Sequence, residues 1–248
     1  MTTPKSALII GASRGLGLGL VRELLGRGWD VTATVRDAAH PGDLAGLPVR
    51  VEALLLDDIH SQDRLAETLA GARFDLVFIN AGIYGPAHQS AIDANLADIG
   101  QLFMVNAVAP LRLAERLLPR IDGERGVLAF MTSELGSVAG NESGGMALYR
   151  ASKAALNSLT RSFVGELGET GLTVLNLHPG WCAPTWARSR AAGCSDQRER
   201  PRRSGRRPRR PWRPVLPGLP GDDDRLVTNR PDTATMSPHL TPTSGSAS

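Results

Sequence analysis

Ser6-Ala7-Leu8-Ile9-Ile10-Gly11-Ala12-Ser13-Arg14-Gly15-Leu16-Gly17 is the stretch that decides how the chain is read. Residues 6–10 form a short, nearly continuous apolar run, as a buried strand does. After the glycines an amphipathic run continues through Leu25 and stops at Gly26 and Gly28, which predicts a helix. Glycine lets the backbone between them turn tightly and lets a pyrophosphate approach the helix N-terminus. Free N–H groups and the helix dipole favour an anion there. Strand, glycine turn and helix in that order predict a dinucleotide site. The plain alternative is a glycine-rich turn that holds no ligand.

The same alternation runs along the chain. Strands are predicted at 30–35, 51–56, 75–79, 126–132 and 172–177. Helices are predicted at 61–71, with Ser61 as N-cap, at 98–118, and from Tyr149 to about Gly168. Strands alternating with helices, without an internal repeat, give an α/β fold with a doubly wound parallel sheet. In such a sheet, ligands bind at the carboxyl ends of the strands. The second strand ends at Arg36-Asp37, where an acidic residue suits a free ribose 2′-hydroxyl and an arginine suits a 2′-phosphate. Arg36 comes first and Arg14 lies beside the same pocket, so NADP is favoured over NAD, with Asp37 as the competing ribose partner.

Tyr149 and Lys153 lie one turn apart on a helix and share a face. A phenol with a pKa of about 10 is a poor acid at neutral pH. An ammonium beside it favours the phenolate and brings it toward a working range. Taken alone, the pair is equally well an exposed helical contact. Ser133 stands at the carboxyl end of the fifth strand. Asn106 stands among apolar residues in a helix that also holds Pro110. It is either a satisfied core polar group or part of a kink that ties a water into a proton path.

Composition sets the limits. The chain has 248 residues and 42% hydrophobic content, enough for one α/β core. No apolar run approaches the roughly 18 residues of a membrane span. The first residues lack a signal-peptide layout, which makes the cytoplasm the expected location. Cys182 and Cys194 offer neither a disulfide framework nor metal-ligand spacing, so no metal is expected. The net charge of +3 is unevenly divided: residues 182–248 hold 13 of the 28 basic residues and 6 of the 25 acidic ones. The same 67 residues hold 10 of the 17 prolines and only six Leu, Ile, Val or Phe. They read as a tail too poor in apolar residues to build a core, and disorder is expected there. Two regions follow: a dinucleotide-binding domain over 1–181 and an Arg/Pro-rich tail over 182–248.

Residues 5–181 resemble the short-chain dehydrogenase/reductase family, in its simple single-domain branch. The resemblance rests on residues 11–17, Asn80-Ala81-Gly82, Ser133, Tyr149-Arg150-Ala151-Ser152-Lys153 and Pro179-Gly180, in that order. The loop through Glu142-Ser143-Gly144-Gly145 is similar to that of sniffer-type carbonyl reductases and C-factor-like bacterial proteins. The resemblance implies an oxidoreductase interconverting a carbonyl and an alcohol with NADP(H). Tyr149 would be the general acid/base, and Lys153 would lower its pKa and bond the nicotinamide ribose. Ser133 would hold the substrate oxygen, and Asn106 would hold a water linked to Lys153. Gly11, Ser13, Arg14, Gly15, Leu16 and Gly17 would cradle the phosphates, and Asp57 would touch the adenine. Asn80, Ala81 and Gly82 would line the cofactor, with Pro179 and Gly180 near its carboxamide. A small-molecule substrate is implied, as is a homodimer through the helices carrying Asn106 and Tyr149.

The resemblance stops after Trp181. Relatives continue with a phrase like Val-Arg-Thr-Asp-Met-Gly where this chain has Cys182-Ala183-Pro184-Thr185-Trp186-Ala187. The latter is encoded by TGC GCA CCG ACA TGG GCG, and one G placed in front gives GTG CGC ACC GAC ATG GGC, the family phrase. A frameshift near residue 181 is therefore expected. It would remove the last strand and the substrate-covering helices, leave the sixth strand as a sheet edge, and impair activity. Two other readings stand beside the enzyme. One is a non-catalytic nucleotide-binding or signalling protein of the same fold. The other is a polyanion binder acting through the 11 arginines of 186–213, although aromatic interleaving is thin and selected nucleic-acid binding is not expected.

Overall fold

The structure is a computed structural model describing residues 4–142 and 144–180. Six strands form one parallel sheet: β1 (Ser6–Ile10), β2 (Asp30–Val35), β3 (Arg50–Ala53), β4 (Leu76–Ile79), β5 (Val127–Met131) and β6 (Thr173–Leu177). Their order is β3-β2-β1-β4-β5-β6. The order reverses between β1 and β4, which makes the crevice beyond their carboxyl ends the switch point of a doubly wound sheet. The α/β expectation holds. β6 lies at the edge of the sheet among the described residues.

The period-two alternation of each strand serves two cores. Leu8 and Ile10 of β1 join Val77, Ile79, Leu128 and Phe130 on one face. Against that face pack α2 (Ile59–Thr68), α4 (Ala109–Leu117) and α5 (Ala147–Leu167), through Leu65, Leu113, Leu117 and Leu156. Ala7 and Ile9 face the other way, with Val31, Ala33 and Phe78, under Val21 and Leu24 of α1 (Gly15–Gly26). On this second side Val127, Met131 and Leu177 of β5 and β6 are only partly covered. Among the described residues no helix is long and apolar enough to cross a membrane.

Three local expectations are corrected. The third strand ends at Ala53, not 56. Leu54 still donates to the Val35 carbonyl, but β2 ends there and Leu55 turns to donate to Ser61 Oγ. That contact removes Ser61 from the capping role. Asp58 takes it, accepting from the His60 N–H at 2.9 Å, and the helix begins at Ile59. The predicted helix over 98–118 is interrupted. α3 (Leu96–Phe103) passes into a π turn over Met104–Val108 before α4 begins. Pro110 lacks the N–H that an α-helix would give to the carbonyl of Asn106, four residues earlier, and the wider turn absorbs that missing bond.

The glycine turn is held by its neighbours. Gly11 N donates to Thr34 Oγ1 at 3.0 Å, Asn80 Nδ2 donates to Gly11 O at 2.8 Å, and Asn80 N and Ala81 N both donate to Ile10 O. A Cβ on Gly17 would collide with Gly11 O and stand 2.8 Å from Asn80 Nδ2. Backbone cannot yield as a flexible side chain does. Gly17→Ala is therefore expected to destabilise the protein by about 2 kcal/mol, read as a lowered thermal midpoint, whereas Gly19→Ala, which meets nothing within 4 Å, leaves it unchanged.

Candidate active site

The carboxyl ends of β1, β4, β5 and β6 present the residues singled out in the sequence. α1 starts at the glycine turn with Arg14 as N-cap and no side-chain cap bond, so its first N–H groups face outward from the turn. Ser13, Arg14 and Gly15 are exposed, Leu16 is partly buried and Gly17 is packed beneath them. Arg36 is exposed just past β2, and neither it nor Arg14 has an ion pair among the described residues. Asp37 turns away: its carboxylate accepts from Ala39 N at 3.0 Å and pairs with His40 Nδ1 at 2.7 Å. The His40 hydrogen bond, then the Ala39 N–H, hold that carboxyl below its usual pKa. Asp57 is exposed beyond β3, and Pro179 and Gly180 follow β6 directly.

Lys153 sits in the floor of this crevice, only 3% exposed. Its Nζ donates to the Met131 carbonyl at 2.8 Å, where β5 ends. Burial pushes its pKa down from 10.5 to about 8. Gly82 leaves the approach to this ammonium open, since a Cβ there would stand 3.5 Å from Nζ and 3.2 Å from Asn106 Oδ1. Two residues beyond Met131, Ser133 Oγ accepts from Leu135 N at 3.2 Å, which leaves its proton free for another partner. That partner is the Tyr149 phenol. Gly136 makes the approach possible: a Cβ there would stand 2.9 Å from the Lys153 backbone carbon. The Tyr149 ring lies 5.9 Å from Lys153 Nζ and stacks on Tyr84, with centroids 5.8 Å apart and planes 25° from parallel.

Two expectations change here. The Tyr149 phenol stands above its ordinary pKa, not below it. Burial raises it most, the Ser133 hydrogen bond offsets part of the rise, and Tyr84 adds to it. The ammonium that should lower it is turned to Met131 and is itself half-way to neutral at pH 8. Asn106 is fully buried and its side chain is committed: Oδ1 accepts from Ile83 N, and Nδ2 donates to Ile83 O and Ser152 Oγ, at 2.8 to 3.0 Å. What it leaves for a water is its main-chain carbonyl in the π turn. Ser152, Met131, Ile83, Tyr84 and Gln89 were not singled out in the sequence. Ser152 lies inside the Tyr149–Lys153 motif and was within reach; the others carry no spacing signal.

A doubly wound sheet with an uncapped glycine turn at its switch point and a Ser–Tyr–Lys group beside it defines a dinucleotide-binding oxidoreductase. The chain belongs to the short-chain dehydrogenase/reductase family, and is NAD(P)-dependent as its members are: it matches the short chain dehydrogenase family over residues 5–193. It is 35% identical over 184 residues to 1-hydroxy-2-glutathionyl-2-methyl-3-butene dehydrogenase of Rhodococcus sp. (strain AD45), across 72% of this chain and 78% of that one. A carbonyl reductase from Pseudomonas aeruginosa PAO1, solved with NADP, shares 42% identity at a TM-score of 0.68, over 72% of this chain and 84% of that one. The carbonyl reductase Sniffer of D. melanogaster shares 29% identity at a TM-score of 0.68, over 75% and 84%. The expected frame change near 181 and the tail to 248 lie outside the described residues.

The buried ammonium has a thermodynamic signature. Below about pH 8 Lys153 is charged in the folded and the unfolded chain, and its burial penalty is fully present. Between about pH 8 and 10.5 the folded chain releases the proton first and the penalty fades. Lys153→Met is expected to stabilise the protein by about 3 kcal/mol at pH 7, with the gain shrinking toward pH 10.5. Urea unfolding of both proteins across that pH range measures it.

Proposed function

We propose that this protein is an NADP-preferring carbonyl reductase, interconverting a carbonyl and an alcohol in a small molecule. The observation that carries the reading is the shared hydrogen bond of Ser133 and Tyr149 at the mouth of the crevice, one helical turn from buried Lys153. The likeness to carbonyl reductases, one of them solved with NADP, supports it. When bound, the nicotinamide supplies the hydride. Ser133 donates to the substrate oxygen and steadies the charge that develops there. Tyr149 gives its phenolic proton to that oxygen in reduction and takes it back in oxidation. Lys153 restores the proton from the Asn106 side of the site and holds the nicotinamide ribose, beside Asn80, Ala81 and Gly82, with Pro179 and Gly180 opposite. Residues 11–17 hold the phosphates and Asp57 the adenine. Arg14 and Arg36 take the 2′-phosphate, because Asp37 is turned to His40 and does not compete.

Residues 1–181 form the domain that carries these roles. Tyr149→Phe should lower NADPH-dependent reduction of a carbonyl panel by at least a thousandfold while NADPH still binds. Reduction at the unaltered rate would sink the mechanism, and NADPH binding without any turnover in the unaltered chain would favour the non-catalytic reading. Arg36→Ala should raise KM for NADPH about tenfold and leave KM for NADH within a factor of about two. Equal effects on both cofactors would remove the NADP preference. Reading the DNA at the Trp181 codon tests the frame change directly.

A further inference from the structure

α5 begins without a cap of its own. Its N-cap is Met146, an apolar residue with φ 51° and no side-chain hydrogen bond to the helix. The N–H that an N-cap side chain ordinarily takes belongs to the second or third helical residue. The third residue of α5 is Tyr149. Its N–H donates to Gln89 Oε1 at 2.9 Å, across sixty positions of sequence.

Gln89 is built to make that bond. It is 7% exposed and stands with φ 53°. Among the described residues, Gln89 and Met146 are the two non-glycine positions with left-handed backbone. Such a conformation costs a side-chain-bearing residue on the order of 1 kcal/mol and persists where its surroundings fix it. The surroundings here are the two ends of one amide. Nε2 donates to the Tyr84 and Pro86 carbonyls, both at 2.8 Å, and Oε1 accepts from Tyr149. The single carboxamide thus grips the main chain of both tyrosines whose rings stack. Gly85, between them, presses on Leu102 of α3 and leaves the loop little freedom to shift.

We propose that Gln89 is a positioning residue for the reaction: it caps the helix of Tyr149 from outside and so sets that phenol against Ser133. This rests on Tyr149 being the acid/base. The cap arm, Oε1 on Tyr149 N, does the positioning; the Nε2 arm holds the loop that carries it. Losing a cap weakens a helix start by roughly 1 kcal/mol. A tyrosine displaced by that loosening loses alignment, which reaction rates feel strongly.

Two variants separate the arms. Gln89→Met keeps the length and loses both. Gln89→Glu keeps an acceptor for Tyr149 N, favoured by the helix N-terminus, and loses the donors to the loop. The chain has two tyrosines, so labelling with 3-fluorotyrosine gives two fluorine resonances, assigned by Tyr84→Phe. Gln89→Met should broaden or move the Tyr149 resonance and lower kcat about tenfold, with KM for NADPH within a factor of about two. Gln89→Glu should leave that resonance in place and keep kcat within about threefold. A Tyr149 resonance unmoved by Gln89→Met, or moved equally by both variants, overturns the assignment. If Gln89→Met does not fold, Gln89→Glu decides alone, by whether the Tyr149 resonance stays or moves. If the unaltered chain reduces no carbonyl, the reductase reading fails while the fluorine spectra still settle what holds Tyr149.

Discussion

A lysine ammonium with one protein oxygen within hydrogen-bond reach, the Met131 carbonyl at 2.8 Å, sets the terms for the whole crevice. Burying that charge is unfavourable, and the folded chain accepts it because three elements converge on it. β5 must end at Met131 so that its carbonyl is free of the ladder. The chain must then turn closely against α5, which Gly136 permits. β4 must leave a glycine above the ammonium, which Gly82 provides. Each condition also brings a neighbour into place: Ser133 after Met131, Tyr149 one turn before Lys153, and Ile83 after Gly82. The Ser–Tyr–Lys group is in this sense a by-product of housing one charge.

The π turn belongs to the same design. Asn106 stands in it, with its side chain tied to Ile83 on one side and Ser152 on the other. Ser152 in turn donates to the Tyr149 carbonyl at 2.8 Å. The segment after β4, the interrupted helix and α5 are thus pinned at one buried asparagine. A side chain that reads in the sequence as a polar intruder serves as the joint between three elements, and the wider helical turn is what leaves its main-chain carbonyl available.

The fold was largely legible because the sheet is buried on both faces. Apolar runs such as Leu8–Ile10 and Leu128–Phe130 can hardly be anything but inner strands, and their ends fell within about a residue of the expected places. The site residues were legible where spacing along one element carries them, as for Tyr149 and Lys153, or where glycines mark a turn. Legibility failed where a contact crosses between elements. Ser61 has the chemistry of a cap, but the Leu55 N–H claims its hydroxyl. Gln89 stands alone in an irregular loop, and nothing local indicates that a helix sixty residues on will depend on it. The state of Tyr149 was likewise out of reach, because burial and the direction of the Lys153 ammonium are properties of packing.

The strand order has a further consequence, in time. β1, the first strand made, lies in the middle of the sheet and pairs with β2 on one side and β4 on the other. Ile10 meets Ile79, so the centre cannot close until roughly seventy more residues have followed. Until then an apolar strand and its glycine turn have one open flank. A chain emerging from the ribosome would carry that flank exposed through the synthesis of β2, β3 and α2, and then gain both centre and cofactor cradle in one step when Asn80 arrives to clasp Gly11.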